Sequence, residues 1–262
     1  MSVYVAGIDV GAATAKCVIM DDGEIVGYEI IPVSYDLSES AKRVFNATLK
    51  KLGISADEIK SVVSTGYGRY NVPFAKKQVT EISCHGRGAI FLIPSTRTII
   101  DIGGQDTKVI AINERGRVLD FVMNDKCAAG TGRFLEVMAR VLDVKVEEMG
   151  EIALRAKKKV KISSTCTVFA ESEVINHLVH KVPREDIIAG LVDAISSRVA
   201  ALAQRVTIRP DVILTGGVAK NEAVRRSLSE KLGLEILRPK EPQIVGAIGA
   251  ALFARDILQG KR

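Results

Sequence analysis

The chain has 262 residues, 47% of them hydrophobic, so it is long and apolar enough to bury one large core or two smaller ones. Its formal charge is a modest +6 at pH 7, and only 5% of its residues are aromatic, with no Trp. We therefore do not expect it to bind nucleic acid, because that function uses dense basic patches and aromatic stacking surfaces.

Both the N-terminal sequence and the hydropathy predict a cytoplasmic location. Residues 1–5 contain no basic segment of the kind that begins a signal peptide. The longest apolar run, residues 244–254, is shorter than the about 18 residues that a membrane span needs. In a reducing compartment, disulfides are not expected, and each cysteine is either a small core residue or a metal ligand. The four cysteines are Cys17, Cys84, Cys127 and Cys166.

The first half of the chain begins with three predicted strands, at residues 3–10, 17–20 and 25–31, joined by short polar turns. Helical periodicity follows over residues 38–52 and ends at Gly53, which is typical of a C-cap. A short buried strand at residues 61–64 and a helix at residues 80–89 complete this half.

The second half begins with the same pattern. Its predicted strands lie at residues 98–102, 109–112 and 118–122, a later strand lies at 211–214, and its helices lie at 131–142, 168–179, 184–206, 222–232 and 243–258. Three strands followed by alternating helices and strands, twice over, predict an α/β fold of two similar lobes. We expect residues 1–97 and 243–262 in the first lobe and residues 98–242 in the second.

A glycine-containing loop follows the first strand of each half. Asp9, Gly11 and Lys16 recur at identical offsets as Asp101, Gly103 and Lys108. Such a loop can bring backbone N–H groups to phosphate oxygens, because glycine allows a close approach. The two aspartates are expected to hold Mg²⁺ through water, since this ion keeps much of its hydration shell. The predicted nucleotide-binding residues of the two loops are Asp9, Gly11, Ala12, Ala13, Thr14 and Lys16, and Gly103, Gly104 and Gln105.

A third glycine-rich turn, Gly216-Gly217, joins a predicted strand to a helix. There the backbone can lie flat against an adenosine close to a helix N-terminus, which adds Val218 and Asn221 to the predicted ATP site. Neither a P-loop nor a Rossmann glycine pattern is present. Together the three turns resemble the superfamily of actin, hexokinase and heat-shock chaperones. That resemblance implies an actin-like, ribonuclease H-like fold that binds ATP between two lobes.

Two residues compete for the role of orienting the attacking water. Glu81 stands at the place where the superfamily often has an acid, although an acid in a first helical turn also simply favours the helix dipole. Gln105, inside the second loop, is the rival.

Cys127 and Cys166 share a similar setting. Each comes shortly before a predicted helix, where the dipole favours a thiolate and therefore metal ligation, with Ser164 and Thr165 as possible caps of the second helix. A buried structural role stays open for both cysteines. A 4Fe-4S cluster or a zinc site needs four ligands, which two chains related by a two-fold axis would supply.

The stretches around these cysteines are more specific. Residues 123–134 (Met-Asn-Asp-Lys-Cys-Ala-Ala-Gly-Thr-Gly-Arg-Phe) and 162–174 (Ile-Ser-Ser-Thr-Cys-Thr-Val-Phe-Ala-Glu-Ser-Glu-Val) resemble the activators of 2-hydroxyacyl-CoA dehydratases. Residues 64–69 and 100–106 resemble the same family, which includes ATPase subunits of benzoyl-CoA reductase. Cys127 and Cys166 then match the ligands of a 4Fe-4S cluster that bridges a homodimer, and Thr131 and Gly132 join the nucleotide site.

The resemblance also implies an activity. A reduced cluster would pass one electron to a dehydratase or reductase partner, driven by ATP, after reduction by a ferredoxin or flavodoxin. A cluster at a subunit interface is sensitive to oxygen, which suggests an anaerobic host. One alternative is a small-molecule kinase of the same superfamily, with Asp101 as general base. Another is a regulatory ATPase that uses the nucleotide only as a switch.

Overall fold

The computed structural model describes residues 3–163 and 166–260, which fall into two compact units. The first unit comprises Met1–Thr96, Ile112–Leu119 and Gln243–Arg262, and the second comprises Arg97–Ala111 and Asp120–Pro242. The turn at 112–119 belongs with the first unit because Gly116 and Gly86 approach backbone to backbone, so closely that a β-carbon on either would collide with the other.

Most of the chain is in regular secondary structure. The strands are β1 (Tyr4–Val10), β2 (Thr14–Asp21), β3 (Glu24–Pro32), β4 (Ile59–Thr65), β5 (Lys77–Gln78), β6 (Thr98–Ile102), β7 (Thr107–Ile112), β8 (Val118–Asn124), β9 (Val212–Thr215) and β10 (Ile236–Leu237). The helices are α1 (Leu37–Leu52), α2 (Glu81–Leu92), α3 (Gly132–Val141), α4 (Met149–Leu154), α5 (Thr167–Val179), α6 (Arg184–Ala203), α7 (Glu222–Leu232) and α8 (Val245–Leu258). None of the helices within residues 3–163 and 166–260 is long and apolar enough to cross a membrane.

The strands form two sheets of the same design. The first runs β3-β2-β1-β4-β5, and the second, read in the matching direction, runs β8-β7-β6-β9-β10. In each sheet the first strand pairs antiparallel with the second and parallel with the fourth. The repeated sequence therefore corresponds to a repeated fold, and the predicted two-part α/β architecture is confirmed.

In the first unit, helices cover both faces of the sheet. Ala6, Ile8 and Val10 of β1 pack with the buried side of α1, whereas Val5 packs with α8 on the other face. Because the two faces of β1 are covered, the strand is apolar nearly throughout rather than alternating. Gly7 lies so close to the backbone of α8 that a β-carbon would collide with Ala247. This close packing holds α8 next to β1.

In the second unit one large core joins β6 and β7 to the helices. Its largest fully buried side chains include Phe134, Leu135 and Met138 of α3, together with Ile100 and Ile102 of β6. Burial of a side chain of this size stabilises the fold by about 1.5–3 kcal/mol. These contacts fix α3 against the strand that carries Asp101.

Several boundaries differ from the predictions. Residue 131 caps α3 rather than starting it, and α6 ends at Ala203 instead of residue 206. The two-residue strands β5 and β10 and the short helix α4 were not predicted, because such short elements show no periodicity.

Candidate functional site

In the first unit, the loop between β1 and β2 is organised by an ion pair. Asp9 and Lys16 are cross-strand partners, and the Lys16 ammonium lies 3.3 Å from Asp9 Oδ2. The N–H of Gly11 donates to the carbonyl of Thr14 at 3.0 Å, which closes the turn. A β-carbon on Gly11 would lie 3.1 Å from Lys16 Nζ, so glycine makes room for the lysine. The sequence pattern Asp-x-Gly thus builds a tight turn beside a buried carboxylate.

The loop between β6 and β7, in the second unit, repeats this geometry. Asp101 pairs across the strands with Lys108, and the Gly103 N–H donates to the Asp106 carbonyl at 2.9 Å. Lys108 Nζ lies 2.7 Å from Asp106 Oδ2 and 3.8 Å from Asp101 Oδ2. Lys108 and Asp101 are only 3% and 5% exposed. The second loop therefore holds a buried lysine between two carboxylates, whereas the first has one carboxylate.

A threonine ends the parallel neighbour strand in both units and is followed by a glycine; neither threonine was predicted as part of the site. Asp9 lies opposite Thr65 of β4, and Asp101 lies opposite Thr215 of β9. Gly66 and Gly216, which follow, have φ of +86° and +85°. Both threonines are fully buried. The recurrence of Thr-Gly after an apolar strand in each half was the signal that would have found them.

The N-terminus of α3 holds the second loop. The N–H groups of Gly132 and Arg133 donate to the carbonyls of Gly103 and Gly104, each at 2.8 Å. The Thr131 hydroxyl donates to the Ala128 carbonyl at 2.7 Å. The structure thus brings Gly132 to the second loop, with Thr131 next to it in the chain. The bonds from Gly132 and Arg133 fix the loop, and the Thr131 bond is local.

The predicted adenosine turn also serves the fold. The N–H of Gly216 donates to the Pro242 carbonyl at 3.0 Å, and Gly217 opens a 3-10 turn that ends at Lys220. Val218 is buried in the core of the second unit. Asn221 caps α7, with Oδ1 accepting from the Val224 N–H at 3.1 Å. Of the four predicted residues here, Val218 and Asn221 have structural contacts that explain their presence.

The two candidates for positioning water differ in surroundings. Glu81 begins α2 after the N-cap Thr80, and its carboxylate pairs with Arg69 at 3.2 Å. Gln105 is exposed at the tip of the second loop. His85, one turn after Glu81, is 7% exposed, and its Nδ1 lies 2.8 Å from the Glu81 carbonyl. A β-carbon on Gly246 would lie 3.2 Å from both Asp9 Oδ2 and His85 Cε1, which places this histidine near the first loop.

The four cysteines, all reduced, divide into two classes. Cys17 and Cys84 are fully buried, and burial raises the pKa of each thiol to about 12. Cys127 and Cys166, called the site cysteines below, are partly exposed. Cys84 and Cys17 pack in the two hydrophobic clusters of the first unit.

The site cysteines precede two helices at different distances. Cys166 occupies the N-cap position of α5, whereas Cys127 lies four residues before the α3 cap. Both site cysteines thus come shortly before a helix, Cys166 directly at its cap and Cys127 in the loop after β8. The Asn124 side-chain amide donates to the Cys127 carbonyl at 2.9 Å and orders that loop. Ser164 and Thr165, the predicted caps, lie outside the described residues.

Comparison with known proteins agrees with this architecture. The sequence profile of the BadF/BadG/BcrA/BcrD ATPase family matches residues 6–254. A 2-hydroxyisocaproyl-CoA dehydratase activator of Clostridioides difficile is 49% identical over 254 residues, covering 97% of this chain and 95% of the relative. An (R)-2-hydroxyglutaryl-CoA dehydratase activating ATPase of Acidaminococcus fermentans is 49% identical over 256 residues, or 97% and 98% of the two chains.

A solved structure shows the same fold. The activator of the 2-hydroxyisocaproyl-CoA dehydratase from Clostridium difficile, with bound ADPNP, superposes with a TM-score of 0.95 at 47% identity. The match covers 98% of this chain and 96% of that one. The profile and the relatives extend over nearly the whole chain, and both duplicated loops fall inside the match. The chain therefore belongs to the BadF/BadG/BcrA/BcrD ATPase family.

Proposed function

We propose that the protein is an ATP-dependent one-electron donor that activates a 2-hydroxyacyl-CoA dehydratase or a related acyl-CoA reductase. Membership of the ATPase family supports the ATP-dependent activity. The names of two relatives at 49% identity support a 2-hydroxyacyl-CoA dehydratase as the partner. The same names favour this activity over the alternative of a small-molecule kinase. We place the protein in the cytoplasm, with a ferredoxin or flavodoxin as its electron donor.

The observation that carries the proposal is the pair of partly exposed, reduced site cysteines beside an ATP-binding scaffold. Within residues 3–163 and 166–260, no three His, Cys, Asp or Glu side chains converge to form a metal site. A 4Fe-4S cluster held by four thiolates thus fits this donor set only if two chains contribute two cysteines each. When bound, the cluster supplies a one-electron carrier.

Exposed apolar side chains next to Cys166 support a homodimer. Val168, Phe169 and Val179 of α5 are 66%, 65% and 72% exposed, although such residues are usually buried. Val168 and Phe169 follow Cys166 directly, at the start of the helix it caps. A second chain that brings its own site cysteines here would cover them, which makes the shared cluster and the dimer interface one feature.

The residues of the two loops have complementary roles towards ATP. The Gly11 and Gly103 turns leave the backbone of Ala12, Ala13 and Gly104 without side chains large enough to block phosphate. Asp9 and Asp101 would hold Mg²⁺ through water, which suits an ion that binds few protein ligands directly. The lysine beside each aspartate forms an ion pair with the carboxylate and adds positive potential for phosphate.

We assign the attacking water to Gln105 rather than to Glu81. Gln105 projects from the second loop into solvent. The Glu81 carboxylate is engaged by Arg69, which anchors it to the turn that follows Thr65. Asp101 makes a poor general base for a kinase, because its oxygens face the Thr215 hydroxyl and the Lys108 ammonium. This geometry suits charge stabilisation more than proton abstraction.

Anaerobic purification and iron counting test the proposal. The wild type should carry about four iron per two chains. Cys127→Ser should lose the iron while keeping its affinity for ATP, and Cys17→Ala, a change in the buried core, should keep both. Cluster-loaded protein should then activate a purified dehydratase only when ATP is present. Full iron content in the Cys127 variant, or activation without ATP, would refute the proposal.

A further inference from the structure

Thr215 binds the loop carboxylate of the second unit. Its hydroxyl donates to Asp101 Oδ1 at 2.8 Å, and the two residues are register partners across the parallel strands β9 and β6. Thr215 is fully buried and Asp101 is 5% exposed. A hydrogen bond to a charged group away from water is among the stronger ones in proteins.

The residue after Thr215 is a glycine, and its missing side chain leaves room for the carboxylate to lie there. Gly216 adopts φ of +85°, and a β-carbon there would collide with the Ile102 carbonyl and lie 3.0 Å from Asp101 Oδ1. Lys108 Nζ lies 3.8 Å from the other oxygen, Oδ2. One oxygen of Asp101 is therefore fixed by the hydroxyl, and the other faces the lysine.

The first unit has the same elements without this bond. Thr65 is the register partner of Asp9, and Gly66 has φ of +86°. Among the hydrogen bonds of residues 3–163 and 166–260, however, the Thr65 hydroxyl makes none to Asp9. Asp9 Oδ1 lies against Gly66 instead, where a β-carbon would collide with it. The two loops, alike in backbone, thus differ in how tightly the carboxylate is oriented.

We propose that Thr215 is a positioning residue: its hydroxyl fixes the orientation of the Asp101 carboxylate, so that this carboxylate meets the hydrated Mg²⁺ of the ATP complex. Without this hydrogen bond, rotation about χ1 and χ2 of Asp101 would let the carboxylate adopt other orientations. The proposal rests on the ATP-binding part of the proposed function and does not depend on the cluster.

Three variants test the role of Thr215. Thr215→Val removes the hydroxyl with little change in volume, and Thr215→Ser keeps it. The control is Thr98→Val, at the other end of β6. Thr98 is equally buried, and its hydroxyl donates to the Arg209 carbonyl at 2.8 Å and accepts from the Arg209 N–H at 2.9 Å. It is purely structural, so it reports what loss of a buried hydroxyl in this sheet does by itself.

The main readout is the dissociation constant of ATP, with Mg²⁺ and with EDTA. For Thr215→Val we expect affinity for ATP to fall about tenfold with Mg²⁺ and to stay unchanged in EDTA, since a hydrogen bond to a charge is lost. Thr215→Ser should restore the wild-type value, and Thr98→Val should show no selective loss with Mg²⁺. In hydrolysis, kcat of Thr215→Val should fall more than KM rises.

Three outcomes would overturn the proposal. One is an equal loss of affinity with and without Mg²⁺, another is a Ser variant as impaired as the Val variant, and the third is a rise in KM as large as the fall in kcat. A wild type that neither binds nor hydrolyses ATP would instead refute the proposed function. Wild-type protein that hydrolyses ATP but carries no iron would leave the role of Thr215 intact and refute only the electron-transfer part of the proposed function.

Discussion

The buried ion pair of the first loop gives a quantitative test of how the site is built. Lys16 and Asp9 have side chains only 12% and 9% exposed, with Nζ and Oδ2 3.3 Å apart. Replacing Lys16 by Met, Asp9 by Asn, and both together forms a double-mutant cycle. If the pair is a preorganised part of the loop, the two changes should be strongly non-additive.

The distance sets the scale of the effect. At an effective dielectric constant of about 20, two unit charges at this separation attract by about 5 kcal/mol. Removing both charges from water offsets a large part of that attraction. We therefore expect a coupling energy of about 1–3 kcal/mol in the free energy of unfolding. The double variant should lose less stability than the sum of the losses of the two single variants.

Urea unfolding, followed by circular dichroism without nucleotide, measures the coupling. The pair Lys51 and Glu29 is the control, because its atoms are closer, at 2.6 Å, yet its side chains are 56% and 30% exposed. Water screens such a pair, so its coupling should be the weaker one. Additive effects at Lys16 and Asp9, or a stronger coupling in the exposed pair, would contradict the view that burial makes the loop rigid.

Further predictions concern a glycine, the thiols and pH. Gly216→Ala should lower the free energy of unfolding in urea by about 3 kcal/mol or more and abolish ATP binding, because a β-carbon there has no room. The control is Gly233→Ala. Gly233 has φ of +64° and open space around it, so the change should lower the free energy of unfolding by only about 1 kcal/mol and leave ATP binding intact. In metal-free native protein, iodoacetamide should label only the site cysteines, because burial raises the pKa of Cys17 and Cys84 to about 12; peptide mass spectrometry showing label on either buried thiol would contradict the packing. The arginines beside Glu222 lower its pKa to about 2. Glu222→Gln should therefore reduce the free energy of unfolding at pH 7 by about 0.5–1 kcal/mol, after allowing for the exposure of the carboxylate, and this difference should vanish as the pH falls from about 4.3 to 2. A difference that persists at pH 2 would exclude the charge as its source.

The sequence was most informative where local rules act alone. Asp and Gly at fixed offsets from Lys identified both loops, because a tight turn between two strands constrains these residue types directly. The polar turn at Asp22-Gly23 and the Gly53 cap could be predicted because these residue types tolerate a positive φ. The structure has a positive φ at all three residues. These features depend on neighbours in the chain.

Contacts between distant segments could not be read in the same way. The hydrogen bond from Thr215 to Asp101 joins residues 114 positions apart and depends on the register of β6 with β9. Flanking motifs, not spacing, pointed to both site cysteines.

Native mass spectrometry of the protein purified and kept without oxygen tests the central claim most directly. For the wild type we expect a species with the mass of two chains plus a single 4Fe-4S cluster. Replacing either site cysteine by Ser should give metal-free single chains instead. A cluster retained on a single chain, or a two-chain species that never carries iron, would contradict it.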